Sequence, residues 1–100
     1  MNFKTTYHCL VLQLENCTDD LLFNIATKIS KHNCMVKTID VDEYNSEKTI
    51  SFINQDNKEL ILYKTEDVIK LYFDNTMKNI GPVFEIYNDI MEYMDYMEVL

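Results

Sequence analysis

Three cysteines, two histidines and seventeen carboxylates are the side chains with which chemistry could begin in this chain, and their spacing decides its kind. Cys17 stands just before Thr18-Asp19-Asp20-Leu21, which reads as a helix start. A thiol there has its thiolate stabilised by free backbone N–H groups and the helix dipole. Asp19 and Asp20 act the other way, and no second cysteine stands at Cys-x-x-Cys spacing. Cys17 is thus the one candidate reactive thiol, set against a plainer reading as a small apolar residue. Cys9 and Cys34 lie at apolar strand positions and read as core. His8 and His32 are isolated, and His32 near a helix C-terminus is favoured by the dipole alone. Two histidines without paired cysteines give no zinc ligand set. Asp40-x-Asp42-Glu43 has the acidity of a calcium loop but neither its glycine nor its closing glutamate. A single glycine also leaves no phosphate-cradling loop. No metal, cofactor or catalytic residue is expected, and the chain reads as a non-enzyme.

The most distinctive stretch is the last, PVFEIYNDIMEYMDYMEVL, which has five carboxylates and no base. At helical spacing Val83, Ile86, Tyr87, Ile90, Met94 and Met97 share one face, flanked by Phe84 and Met91; that face is core, and its methionines make it adaptable. Glu85, Asp89 and Glu92 share the opposite face with Tyr96, and Asp95 lies beside them. Like charges three and four residues apart destabilise a helix by about 0.2–0.5 kcal/mol per pair. The late acids Asp95 and Glu98 also oppose the macrodipole. A helix shaped only for stability would interleave lysines. The alternatives are a solvated face in an acidic protein, or a docking stripe of Glu85, Asp89, Glu92, Asp95 and Tyr96 for a basic surface.

Charge bounds the partner. The net charge is −8, and all nine basic residues are lysine. Residues 1–37 hold four lysines and three acids, net +1; residues 38–100 hold five lysines and fourteen acids, net −9. Without arginine, the bidentate reader of phosphates and bases, direct nucleic-acid binding is not expected, nor is an anionic membrane. An odd cysteine number and no apolar leader suggest reduced thiols and a cytoplasmic protein. Lysine without arginine, with abundant Asn and Ile, fits an AT-rich genome: a low-GC bacterium, its phages or a virus.

One hundred residues, 47% of them hydrophobic, make one domain with one core. Tyr7–Leu14 is apolar on both faces and reads as a central strand. Thr18 or Asn16 caps a helix carrying Leu21, Leu22, Ile25, Ala26 and Ile29, ended by His32-Asn33. Met35–Val41 alternates as a second strand, adjacent and parallel to the first in a βαβ unit. Residues 49–54 and 59–64 flank QDNK as a hairpin. Thr65 then caps a second helix with Val68, Ile69, Tyr72 and Phe73 on its apolar side, against a competing strand reading of IKLYF. Gly81-Pro82 opens the last helix. The expected fold is α/β: a mixed four-stranded sheet in β-α-β-β-β-α-α order, with residues 7–75 as core unit and 82–100 as acidic C-terminal helix.

This pattern resembles the thioredoxin and glutaredoxin family. Leu10 to Glu43, with Cys17 opening the helix and IDVDE ending the second strand, is similar to that family's first half, and TISFINQDNKELILYKTEDVIKLYF to its second. The family's Cys-x-x-Cys reads Cys17-Thr18-Asp19-Asp20 here, and Lys48-Thr49 stands where its cis-proline would be. The resemblance therefore implies a thioredoxin-like architecture without dithiol chemistry. A strand at 68–73 would instead imply a ferredoxin-like α+β fold. Three functions follow as expectations: a small acidic interaction protein, such as an inhibitor, anti-defence or immunity factor that meets a basic protein surface (a nucleic-acid-binding protein's, for instance); a degenerate thiol-redox protein acting through Cys17; or a small regulatory ligand-binding domain.

Overall fold

The alternation of the middle of the chain and the 3.6-residue period of its two flanking stretches settle into seven elements. In the computed structural model, which describes residues 7–77 and 80–99 (backbone only at 98 and 99), these are β1 (Tyr7–Gln13), α1 (Asp19–Ser30), β2 (Met35–Asp42), β3 (Glu47–Ile53), β4 (Glu59–Lys64), β5 (Ile69–Asp74) and α2 (Gly81–Val99). The strands form one sheet in the order β1-β5-β4-β3-β2, every neighbouring pair antiparallel. The sheet therefore has five strands and is not the mixed four-stranded one expected.

Residues 69–74 are the reason. Ile69, Leu71 and Phe73 are buried while Lys70, Tyr72 and Asp74 are half-buried, a period of two that a helix cannot produce. The same residues satisfy a helical pattern on paper, and Thr65 looks like its cap. Thr65 instead closes the β4–β5 turn: its amide donates to the Val68 carbonyl at 2.9 Å, and Asp67 N–H donates to Thr65 Oγ1 at 3.2 Å. A short hydroxyl side chain serves a turn as readily as a helix start.

The βαβ expectation fails in adjacency but keeps its direction. Four antiparallel pairings separate β1 from β2, so the two run the same way from opposite edges, about 19 Å apart at ordinary strand spacing. The five residues 14–18 reach about 17 Å, enough to carry the chain from the β1 edge onto the middle of the sheet. There Asp19, opening α1, pairs with Lys48 of β3 and with Lys64 of β4, the latter at 3.5 Å. α1 then returns along the strands to the end where β2 begins. With β1 beside β5 and residues 69–74 in the sheet, the thioredoxin-like order is not adopted. The ferredoxin-like alternative is not adopted either, since its first strand is a central one.

α1 is fixed by its ends and by one face. Thr18 Oγ1 accepts from Leu21 N–H at 3.1 Å, Asp19 and Asp20 fill the first turn, and Leu22, Ile25, Ala26 and Ile29 are buried. Because the only glycine stands at the start of α2, left-handed turn positions fall to Asn16, Asn33, Ser46 and Asn57. Asparagine tolerates that conformation better than most residues.

Both helices lie on one side of the sheet. Leu12, Ile50, Phe52, Leu60, Leu62, Ile69, Leu71 and Phe73 face the helices' Leu22, Ile25, Ile29, Val83, Ile86 and Ile90 in a single core. The other side is open, yet it organises itself. Tyr7 Oη donates to Glu59 Oε1 at 2.6 Å and Lys37 Nζ to Glu59 Oε2 at 3.4 Å, so one central carboxylate holds both edge strands. Tyr63 and Tyr72 meet edge to face with centroids 6.3 Å apart, and Ile61, between Tyr72 and Ser51, is buried. Phe52 has no exposed surface and sits at the centre of the helix-side layer. Phe52→Ala should lower unfolding free energy by about 3–5 kcal/mol, read from urea titration, with the slope unchanged.

Candidate functional site

α2 starts where Val83 and Phe84 N–H groups donate to the Ile80 carbonyl at 3.0 and 3.2 Å, with Pro82 in the first turn, where its missing N–H is no loss. Val83, Ile86 and Ile90 are buried against the sheet and α1, and Tyr87, Met91 and Met94 pack around them. At 100° per residue, Phe84, Glu85, Asn88, Glu92, Asp95 and Tyr96 fall within an arc of about 120° on the opposite side. All six are exposed. Of the five residues expected to form a docking stripe, four, Glu85, Glu92, Asp95 and Tyr96, are brought together on this arc.

Asp89 is placed differently. It stands at the arc's margin, half-buried, and turns to α1: His32 Nε2 lies 3.1 Å from its Oδ2 and Lys28 Nζ 3.8 Å from its Oδ1. The His32 hydrogen bond, followed by the charges of Lys28, His32 and Lys31, holds its carboxyl below the usual carboxylate range. Tyr93 adds a second tie, accepting from Asn24 Nδ2 at 2.9 Å while the Lys28 ammonium lies 5.6 Å from its ring centroid. The bases missing from α2 are thus supplied across the helix pair by α1. Sequence spacing shows neighbours along one helix and is blind to that pairing. Phe84, placed at the core's flank by its helical position, is 47% exposed and becomes part of the arc. The side chain of Glu98 lies outside the described residues.

The cysteines are dispersed among different settings. Cys17 is half-buried ahead of the Thr18 cap, with Sγ 3.8 Å from the Gln13 carbonyl oxygen. Burial pushes its thiol up, Asp67 adds to this, and Lys64 opposes it. Asp19, expected to act on this thiol, is engaged by Lys48 and Lys64 instead. Cys34 is buried, which also pushes its thiol up, and Cys9 is exposed on β1. Asp40 and Asp42 belong to β2, and Asp42 accepts from the Asn45 amide and side chain at 3.2 and 2.8 Å, closing the β2–β3 turn. Among the described residues no three of His, Cys, Asp and Glu stand where they could hold a metal ion. No described helix is long and apolar enough to cross a membrane.

Comparisons with protein-family models, with curated proteins and with solved structures find no match for this chain.

The two kinds of α2 carboxylate separate by mutation. Asp89→Asn should destabilise by on the order of 0.5–1 kcal/mol at neutral pH. Glu92→Gln should be neutral or stabilising by a few tenths of a kcal/mol, since it only removes like-charge neighbours. A lowered folded-state pKa contributes stability that is present above the ordinary carboxylate pKa and lost as pH falls through the folded value. The gap between wild type and Asp89→Asn should therefore begin to close below about pH 4 and vanish at lower pH. Urea midpoints measured from pH 7 downward check both statements.

Proposed function

We propose that this chain is a small non-enzymatic interaction protein of the inhibitor, anti-defence or immunity kind, acting in the cytoplasm, which engages a basic protein surface through the exposed arc of α2. A nucleic-acid-binding protein offers the kind of surface it suits. The observation that carries the reading is the composition of the arc: Phe84 and Tyr96, 47% and 62% exposed, bracket Glu85, Glu92 and Asp95 on a helix without a lysine. Aromatic side chains left in water forfeit burial that an interface restores, and they are typical anchors of binding energy. The carboxylates between them contribute chiefly to encounter rate and to partner choice. The net −9 carried by residues 38–100 reinforces the same field.

Asp89 is excluded from the contact in this reading and serves the helix pair. A variant with Glu85→Gln, Glu92→Gln and Asp95→Asn leaves that pairing and the core untouched, and should fold at least as stably as wild type. Its association with the basic partner recovered from host cytosol by the wild-type protein should be slower by on the order of tenfold. The wild-type rate should fall steeply with added salt and the variant's should not. Equal rates for the two proteins at low ionic strength would dispose of the proposal, leaving α2 as core packing with a solvated side.

A further inference from the structure

β2 is the least covered element of the molecule. All eight of its residues are exposed, including Met35 at 77% and Ile39 at 57%, and among the described residues it pairs on one side only, with β3. α1 lies over the middle of the sheet and α2 contacts β1, so Val36, Ile39 and Val41 keep about half of their surface open on the helix side. Protein edge strands are ordinarily short, charged or covered, because an exposed apolar edge is a template for another strand.

We infer that the occupant of this edge is a second copy of the same chain, joined β2 to β2 in antiparallel fashion to make a continuous ten-stranded sheet. The strand's own bulge carries the inference. Opposite β3, Val36 stands by Phe52, Thr38 by Ser51, Ile39 by Ile50 and Asp40 by Thr49, with the register shift between Val36 and Thr38. Phe52 and Ile50 are core residues, so Val36, Ile39 and Val41 face the helix side. Thr38, Asp40 and Asp42 face the open side. Lys37 joins them there, since its ammonium reaches Glu59.

A two-fold axis perpendicular to the sheet keeps each face on its own side, so only registers that match face to face are allowed. An axis at the Lys37–Thr38 bulge matches Ile39 to Val36 but opposes the two lysines. An axis at Asp40 opposes two aspartates, and one at Val41 opposes Asp40 to Asp42. An axis at Ile39 matches the faces throughout and sets no like charges opposite each other. Ile39 meets its own copy, Val36 meets Val41 of the second copy on the helix side, and Lys37 and Thr38 together meet Asp40 on the open side. The two-for-one bulge that would misalign an ordinary edge is what brings lysine to aspartate here. Opposite charges and β-branched residues directly across a strand pair are the favourable combinations.

Sedimentation velocity over a concentration series tests this on the whole chain. The wild type should pass from 11.9 kDa to twice that mass as concentration rises. Lys37→Asp and Asp40→Lys should each raise the dimer midpoint by on the order of tenfold, and so should Ile39→Lys at the axis. An equimolar mixture of the Lys37→Asp and Asp40→Lys proteins should dimerise again. In the mixed pair, both cross-strand contacts set an aspartate of the first variant against a lysine of the second. Circular dichroism confirms that each variant is folded, and these exposed positions leave the core intact. A wild type that stays monomeric at every concentration overturns the inference. So does a dimer indifferent to all three substitutions, or one that the mixture fails to restore. None of these variants alters α2, so the outcome is independent of the acidic-arc proposal.

Discussion

The pairing of β1 with β5 is the constraint on which the remaining arrangement depends. Once the first strand docks at the far side of the meander, the chain must cross the middle of the sheet before β2 can begin. That crossing puts α1 where its buried row meets Ile50, Phe52, Leu60 and Leu62. It leaves the flank above β1 to α2, which packs against α1 and β1. Two helices are then committed to one face, and all eight residues of β2 are left exposed. The exposed edge and the single core are two results of the same topological choice.

Charge follows the layers. At the opening of α1, Asp19 draws Lys48 and Lys64 from two strands, and the mostly buried Lys64 would be hard to accommodate without it. Between the helices Asp89 gathers Lys28 and His32. On the open side Glu59 accepts from Tyr7 and Lys37. The hydrogen bond from Tyr7 is the first reason that its phenol is pushed up to about 12; burial, then Glu47, does the same for Tyr63. These carboxylates are matched by cations or phenols drawn from other elements. The acids on the outer arc of α2 contrast with them, since Glu85, Glu92 and Asp95 point away from α1 and its bases.

Local chemistry is legible in the sequence to a considerable depth. The cap at Thr18, the buried row of α1, the QDNK turn and the start of α2 at Gly81-Pro82 all follow from side-chain types within a few residues of one another. The choice of strand partners does not. Tyr7–Gln13 looks central because apolar residues occupy both its faces, yet it lies at an edge under α2. Met35–Asp42 carries its warning in Lys37, Thr38, Asp40 and Asp42, a polar set that suits an edge better than a parallel interior. IKLYFD satisfies both periods, and only the vacancy beside β4 and β1 decides between them. At the candidate site, helical spacing places Glu85, Glu92, Asp95 and Tyr96 together. Asp89 escapes that logic because its partners on and beyond α1 are more than fifty residues away in sequence.

The β1–β5 ladder, which joins Cys9 to Tyr72 and Val11 to Lys70, also orders the events of folding. β2 to β5 are linked by three tight turns, each closing a loop of a few residues. Docking β1 closes a loop of about sixty, and the logarithmic growth of closure entropy makes that roughly 2 kcal/mol more costly than a hairpin. Contacts with the smallest closure cost are expected to form first, so the four-stranded meander should precede the arrival of β1. On the return path the order reverses. β1 and the crossing segment should then open before the inner strands of the meander, with amide hydrogens of β1 exchanging ahead of those in β3 and β4.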